Sequence, residues 1–185
     1  LALILSLRGS VCLYQGEELG LPEADVPFER IQDPYGIPLW PVFKGRDGCR
    51  TPMVWENSSQ GGFSNIEPWL PVSKEQLPLS VAEQEANPEA LLHKVRQLIH
   101  WRQQQPALVN GELSQRDVDN ADLVALVREY QGEKVLVVLN MTGTSQQANV
   151  GDDIAEVLQG HGFSSTLSGA VATVPAYHAF YARLS

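Results

Sequence analysis

The sequence predicts an α/β segment followed by an all-β domain, and three patterns along its 185 residues support this fold class. An apolar run at residues 1–7 leads through Gly9 into a second run at 11–15, as in a helix that feeds a buried strand. A long stretch rich in proline, glycine and aromatic residues follows. Short apolar runs separated by turn residues near the end are typical of antiparallel strands. We divide the chain into domains 1–110 and 111–185.

Composition excludes some classes of partner. The 43% of hydrophobic and 19% of charged residues fit an ordinary globular protein. A net charge of -9 argues against nucleic acid and anionic membrane, because both favour a basic face. The run at residues 1–7 is too short to span a bilayer and lacks the basic start of a signal peptide. Two cysteines form no disulfide framework, so we expect Cys12 and Cys49 to be free and the protein to be cytoplasmic.

The first two runs form one structural unit in this interpretation. Residues 1–7 are the last turns of a buried helix, and Gly9 suits the position just past its end. The run VCLYQ at 11–15 has the composition of a buried strand. A parallel strand needs hydrogen-bonded neighbours on both sides, and no other such strand is visible nearby. We therefore expect the chain to be part of a longer polypeptide.

The middle of the chain is predicted to be a long loop followed by helices. Residues 16–79 carry many prolines and glycines but also three tryptophans, which excludes a disordered linker and favours a functional loop. The capping-box pattern at 80–83 predicts a short helix. Asn87 precedes a proline, and the spacing of apolar residues predicts a second helix over 88–104. Pro106 is expected to end it.

Strand patterns dominate after residue 111. The runs LVALVREY at 123–130 and KVLVVLN at 134–140 predict a hairpin with its turn at 131–133. Together with the later runs they predict a small antiparallel β-sandwich. The later candidate strands are 146–150, 164–167, 170–173 and 176–184.

The most informative segment is GRDGCRTPMVW at residues 45–55, in which two arginines and an aspartate surround glycine. Such a segment can form a rigid loop that presents charged hydrogen-bond donors to a polar ligand. This loop, in order with other segments, resembles α-glucosidases and oligo-1,6-glucosidases of the α-amylase superfamily (glycoside hydrolase family 13). The other segments are LYQGEELG at 13–20, GGFS at 61–64, VAEQ at 81–84 with Asn87 and Pro88, the strand pair, and 175–180.

The resemblance implies a fold and a reaction. Residues 1–110 would be the last unit of a (β/α)8 TIM barrel, containing the end of helix 7, strand 8, a long loop and helix 8. Residues 111–185 would be the antiparallel β-sandwich that follows the barrel in this family. The parent enzyme would be a retaining glycosidase that hydrolyses short maltose- or isomaltose-type α-glucosides from the non-reducing end. No cofactor is implied.

The same resemblance assigns no catalytic residue to this chain. The family uses an aspartate nucleophile, a glutamate acid/base and a second aspartate. These lie on strands four, five and seven, before the segment that matches residue 1. We therefore expect the chain alone to be inactive, with the missing N-terminal part of the barrel as its partner and an oligosaccharide or α-glucoside as the substrate.

The candidate substrate-binding residues come from the resemblance and from the loops. Arg50 matches the family's arginine that hydrogen-bonds the terminal non-reducing glucose, and the competing interpretation is a structural salt bridge. Glu17 and Glu18 either contact substrate or brace the barrel mouth. Phe28 is a candidate for stacking on a sugar ring, and Glu29 for bordering the leaving-group subsites.

Several neighbouring residues have a simpler interpretation. Arg46 and Asp47 are expected to brace the loop as a pair. Asp33 belongs either beside Glu29 at the leaving-group subsites or, as we favour, on a solvated loop face. The aromatic side chains of Phe28, Trp40 and Phe63 are favoured as packing residues of the loop. His93 and His100 lie on one side of a helix, but without a cluster of further ligands they predict no metal site.

Two other functions remain open at this point. The chain could be a non-catalytic module that binds carbohydrate or stabilises a barrel. It could also belong to an inactive family relative, because some partner subunits of membrane transporters share this barrel. The residues before position 1 would separate these possibilities, since the catalytic carboxylates are either present there or absent.

Overall fold

The computed structural model describes residues 1–185, and the chain divides into two compact units. One unit contains Leu1–Cys12 and Val95–Ser185, and the other contains Leu13–Lys94. The first unit holds every strand of the structure, whereas the second consists of loops and short helices. None of the helices combines the length and the apolar character that a membrane-spanning segment needs.

Five α-helices occur, most of them short. Only one exceeds two turns, and it carries a buried apolar stripe that includes Val95, Leu98 and Trp101. The helices are α1 (Ala2–Ser6), α2 (Gly36–Leu39), α3 (Val81–Glu85), α4 (Leu91–Gln103) and α5 (Pro106–Asn110).

Eight strands form two antiparallel sheets. The first sheet has the order β1-β2-β3-β8-β5, and the second has the order β4-β7-β6. All pairs of neighbouring strands are antiparallel, as the sequence predicts for this part of the chain. The strands are β1 (Glu112–Gln115), β2 (Leu123–Tyr130), β3 (Glu133–Asn140), β4 (Gln146–Asn149), β5 (Ile154–Val157), β6 (Thr166–Ser168), β7 (Val171–Val174) and β8 (Ala179–Leu184).

The hairpin between β2 and β3 confirms the prediction with a tighter turn. Its two central residues are Gln131 and Gly132, with φ values of 50° and 87°. Positive φ at both positions is the type I′ geometry, which matches the twist of a two-residue hairpin. Glu133, predicted in the turn, is the first residue of β3 and pairs with Tyr130.

The five-stranded sheet is covered on both faces, which explains why β3 is an unbroken apolar run. On one face, Leu136 and Val138 pack in a core that includes residues of the three-stranded sheet. On the other face, Val135, Val137 and Leu139 pack in a core that includes residues of α1, α4 and α5. A strand buried on both faces needs apolar residues at successive positions rather than alternating ones.

The structure corrects the predicted strand at residues 11–15. These residues form no strand, and no other segment of the chain pairs with them. A strand is held by backbone hydrogen bonds to a neighbouring strand, so composition alone does not create one. Conversely, β1 and β5 were not predicted: both are edge strands of only four residues, and β1 (ELSQ) carries a single apolar residue.

The helical region also starts and ends differently from the prediction. Asn87 does not cap α4: its Oδ1 accepts a hydrogen bond from the backbone N–H of Glu89, and α4 begins only at Leu91. Ser80 precedes α3 as predicted, but its hydroxyl makes no capping hydrogen bond. Pro106 follows the end of α4 and starts α5 at a position where the missing N–H costs nothing.

The second unit contains the predicted irregular stretch, residues 16–79, which is built from turns. A small core of Val26, Ile31 and Leu70 lies within it, with Trp40 packed alongside. The longer pieces of structure in this stretch are α2 and four 3-10 helices at Glu17–Leu19, Phe28–Arg30, Asp47–Cys49 and Leu77–Leu79.

Candidate functional site

The loop GRDGCR, residues 45–50, turns sharply around a short 3-10 helix at Asp47–Cys49. Gly45 has a φ of 77°, in the left-handed region that glycine adopts without strain. A Cβ at this position would lie 2.7 Å from the Cβ of Asp33. Glycine is therefore required here on two grounds, and it allows the loop to approach Asp33 closely.

Asp33 is a buried carboxylate, only 1% exposed. Its Oδ1 accepts a hydrogen bond from the backbone N–H of Tyr35 at 2.9 Å, and its Oδ2 accepts one from that of Arg46 at 3.0 Å. The N–H of Tyr35 lowers the pKa of Asp33, burial opposes this, and Arg46 lowers the pKa further through its amide and its charge. The net shift is downward, so Asp33 is ionised at neutral pH.

This burial shows that the expectation of a solvated loop face for Asp33 was wrong. The local sequence Asp33-Pro-Tyr-Gly36 forms a turn in which the aspartate binds the backbone two residues further on. The side chain is thereby directed back into the loop, where Gly45 leaves room for it. The turn pattern was present in the sequence and could have indicated this.

Asp47 is a second buried carboxylate beside the first. Its Oδ2 accepts hydrogen bonds from the backbone N–H groups of Gln32 at 2.6 Å and Asp33 at 2.8 Å. Its Oδ1 makes no hydrogen bond, but it lies 3.8 Å from Nη1 of Arg50. Asp47 therefore holds the backbone that carries Asp33 and places a negative charge next to Arg50.

One nitrogen of the Arg50 guanidinium, Nη1, lies near both buried carboxylates. Its Nη1 lies 3.4 Å from Oδ2 of Asp33 and 3.8 Å from Oδ1 of Asp47. The side chain is 38% exposed, and Nε and Nη2 make no hydrogen bond within the chain. Arg50 thus has a structural ion pair and, at the same time, donors that are free for a ligand.

Arg46 and Asp47 do not brace the loop as the predicted pair. The side chain of Arg46 is largely exposed, and its Nε lies 3.5 Å from Oδ2 of Asp33 instead. Asp47 is engaged with backbone amides, as described above. The four charges of Asp33, Asp47, Arg46 and Arg50 balance, which reduces the cost of burying two carboxylates.

Glu17 and Glu18 brace the turn in which they lie. Oε2 of Glu17 accepts a hydrogen bond from the backbone N–H of Tyr14, and Oε2 of Glu18 accepts one from that of Gly16. Glu17 also lines a cavity of about 330 Å³ that includes Arg46. A substrate contact for either glutamate remains a prediction.

The aromatic candidates are part of the loop packing, but they keep exposed surface. The rings of Phe28 and Trp40 lie 5.6 Å apart, and Nζ of Lys44 lies 5.3 Å from the centre of the Trp40 ring. Phe28 is 44% exposed. Glu29 and Phe63 are exposed. The substrate-binding roles of Phe28 and Glu29 also remain predictions.

The structure contains no group of three or more His, Cys, Asp or Glu residues placed to hold a metal ion. His93 lies near Glu85, with its Nε2 3.3 Å from the backbone oxygen and 3.8 Å from Oε2. Cys12 and Cys49 are both free, as predicted, and both are exposed.

Comparison with known proteins identifies the family to which this arrangement belongs. The sequence model of the alpha-amylase catalytic domain matches residues 1–111, which is more than half of the chain and includes the whole loop at 45–50. The chain belongs to the alpha-amylase family. The prediction made from the loop and its neighbouring segments is therefore confirmed.

Relatives within the alpha-amylase family are similar along all or most of the chain. The "Probable alpha-glucosidase" of Rhizobium meliloti (strain 1021) is 46% identical over 184 residues, covering 100% of this chain and 33% of that protein. The "Glucan 1,6-alpha-glucosidase" of Streptococcus pneumoniae serotype 4 is 32% identical, covering 85% of this chain and 32% of that protein. The chain spans about a third of the length of these relatives.

A solved structure has the same fold throughout. The alpha-glucosyl transfer enzyme XgtA superposes with a TM-score of 0.94 and 37% sequence identity, covering 100% of this chain and 34% of that one. This alpha-amylase family chain thus corresponds to about a third of a longer chain.

Proposed function

We propose that this chain is part of a retaining α-glucosidase that hydrolyses short maltose- or isomaltose-type α-glucosides from the non-reducing end. The chain contributes part of the sugar-binding pocket, and the catalytic carboxylates are supplied from outside residues 1–185. The family assignment and the names of the relatives support the class of reaction.

The observation that carries the proposal is the environment of Arg50. A guanidinium is a permanently charged, planar group of donors, and adjacent sugar hydroxyls are suitable acceptors. In Arg50, Nη1 is held by buried carboxylates while Nε and Nη2 are free. A donor that is fixed before the ligand arrives loses little conformational entropy on binding. We assign these two nitrogens to the terminal glucose.

The finer organisation of the chain is proposed on the same basis. Residues 1–110 are the last unit of a TIM barrel and residues 111–185 a C-terminal β-sandwich. In this arrangement, residues 11–15 find strand neighbours in the rest of the barrel, and pairing with them would convert the segment into strand 8. The free cysteines are compatible with a cytoplasmic location.

The experiment uses the complete polypeptide that contains this chain and a chromogenic α-glucoside. Arg50→Ala should lower kcat/KM by roughly ten- to hundredfold, because a hydrogen bond from a charged donor contributes about 1.5–3 kcal/mol. Arg30→Ala is the matched control, because Arg30 lies in the same unit and pairs with the exposed Glu67. We expect the control to retain wild-type kinetics.

Two outcomes would contradict the proposal. An unchanged kcat/KM in a folded Arg50→Ala variant would remove Arg50 from the pocket. Absence of any turnover by the complete wild-type protein would favour the inactive relative or the binding module. The isolated 185-residue chain should show no turnover, and measurable hydrolysis by it would place the catalytic carboxylates within this sequence.

Transfer of the glucosyl unit is a second candidate, favoured by the likeness to the alpha-glucosyl transfer enzyme XgtA. A retaining enzyme forms a glycosyl-enzyme intermediate that either water or another hydroxyl can resolve. Measuring both products separates the two reactions. Equal amounts of glucose and chromophore indicate hydrolysis, whereas a deficit of glucose that grows with added acceptor sugar indicates transfer.

A further inference from the structure

We propose that the apolar run at residues 37–43 is a surface on which another part of the same polypeptide docks. The run has the sequence IPLWPVF, so seven consecutive residues carry no charge. None of the seven is buried in the structure. This proposal rests on the proposed function, because it takes the chain to be part of a longer enzyme.

The exposure of the apolar run is the observation that needs an explanation. A loop that faces solvent normally carries polar side chains, and an exposed run of four or more apolar residues is unusual outside a binding surface. Val42 is 96% exposed, and Ile37, Leu39 and Phe43 are exposed as well. Only Trp40 packs against the small core of its unit. The chain by itself therefore leaves most of the apolar run uncovered.

The apolar run has a fixed shape, because its two ends are held close together. A Cβ at Gly36 would lie 2.7 Å from the backbone oxygen of Lys44, so the backbones before and after the run approach each other closely. Within the run, the N–H of Phe43 donates a hydrogen bond of 3.0 Å to the carbonyl of Leu39. A loop that is ordered before its partner arrives loses little conformational entropy on docking.

A cleft of about 410 Å³ lies beside the apolar run and offers a partner a place to insert. Val42 and Phe43 line it, and so do three charged residues. Lys44 and Asp25 pair with each other at 2.6 Å, whereas Glu23 has no ion pair within the chain. The inserting segment should therefore combine apolar side chains with a basic one.

The occupant that we assign is the remainder of the polypeptide. The chain spans 33% and 32% of the two relatives described above, so the proposed function gives it a much longer parent. Contacts within one polypeptide are permanent, and permanent interfaces are more apolar than transient ones. An oligosaccharide fits the run poorly, because sugar hydroxyls need polar partners and the indole N–H of Trp40 is the only hydrogen-bonding side-chain group in the run.

The test measures how fast N-ethylmaleimide modifies a cysteine placed in the apolar run of the complete polypeptide. Val42→Cys is the variant, and Ser59→Cys is the matched control, because Ser59 is an exposed residue of a polar turn in the same unit. Mass spectrometry of peptides separates these positions from Cys12 and Cys49. We expect position 42 to react at least about tenfold more slowly than position 59, because a covered residue reacts only when the contact opens.

Three results would overturn the proposal. Equal rates at positions 42 and 59 in the folded protein would show that nothing covers the run. Protection that disappears when a dimer is diluted to monomers would assign the run to a second copy of the protein. Protection that requires added glucose or maltose would assign it to a sugar. Should Val42→Cys not fold, Leu39→Cys provides a second exposed position in the run.

An aspartate at the same position gives a second readout, in stability. A carboxylate on a residue that faces solvent changes stability little, whereas one placed in an apolar contact is strongly destabilising. We expect Val42→Asp to lower the melting temperature of the complete polypeptide and Ser59→Asp to leave it within about 1 °C of the wild type. An unchanged melting temperature in Val42→Asp would overturn the proposal. Neither readout depends on catalysis, so a lack of glucosidase activity would contradict the proposed function alone.

Discussion

Nη1 of Arg128 in β2 donates a hydrogen bond of 2.8 Å to the backbone carbonyl of Ser6 in α1, although the two residues are 122 positions apart. The Arg128 side chain is fully buried, and no carboxylate pairs with it. Its partners are backbone carbonyls alone, those of Ser6, Leu7, Leu108, Gly111 and Glu112. The guanidinium of Arg128 therefore supplies hydrogen-bond donors to backbone carbonyls in or next to α1, α5 and β1.

We predict that Arg128→Met is strongly destabilising. Methionine fills part of the space but leaves buried carbonyls without donors, which should cost about 3 kcal/mol or more of the free energy of unfolding. Urea denaturation followed by circular dichroism measures this. In the control, Arg183→Met removes an arginine that pairs with Glu133 and Glu156 near the surface and should cost at most about 1 kcal/mol. Equal losses in both variants would contradict the prediction.

The stability of the unit that contains His161 should decrease in acid. The His161 ring contacts Trp101, Tyr181 and Phe163, its Nε2 donates to the carbonyl of Leu158, and its Nδ1 accepts from the N–H of Phe163. Burial lowers the pKa of His161, while the bond to Leu158 raises it slightly, for a net decrease. Protonation of Nδ1 would also place its new N–H opposite the backbone N–H of Phe163, so that two donors face each other.

The direction of the change in stability with pH follows from the protonation of His161 in the folded and the unfolded chain. Above a pH of about 6.5 the histidine is neutral in both the folded and the unfolded chain, so stability is fully present. As pH falls below that value, only the unfolded chain takes up the proton, and stability declines until the folded pKa is reached. Urea denaturation between neutral pH and pH 5 should show this decline. His161→Phe should flatten it, and an unchanged decline in that variant would contradict the prediction.

Gly45→Ala should disturb the site more than Gly61→Ala. Both glycines have positive φ, 77° and 62°, so both substitutions introduce the same kind of backbone strain. A Cβ at Gly61 meets its nearest neighbours, in Val54 and Val72, at ordinary contact distances of 3.4–3.6 Å, whereas a Cβ at Gly45 lies 2.7 Å from the Cβ of Asp33. We expect Gly45→Ala to cost about 1–2 kcal/mol more in stability. Similar melting temperatures for the two variants would contradict this.

Elements with a local signal were predicted well from the sequence. The β2–β3 hairpin follows from two apolar runs around a turn containing Gly132, and all of its information lies within eighteen residues. The irregular stretch at 16–79 and the arginine loop at 45–50 were likewise visible in composition and motif. Edge strands such as β1 carry few apolar residues, so no periodicity indicated them.

The environment of Arg50 could be predicted only in part. The motif indicated that Arg50 and Arg46 lie near Asp47, and the resemblance indicated a sugar. That Asp33, seventeen residues earlier, supplies the anchoring carboxylate depends on a close approach of two loops at Gly45. Sequence spacing does not report such approaches, because irregular loops have no fixed period.

The sequence by itself determined the family, the antiparallel hairpin and the identity of the charged loop, because each rests on neighbouring residues or on a recognisable motif. Tertiary structure alone decided that Asp33 is buried, that Arg128 is satisfied by carbonyls of Ser6 and other distant residues, and that residues 11–15 form no strand. The physical reason is common to all three. Burial and hydrogen bonding depend on which distant segments meet, and that is a property of the whole fold.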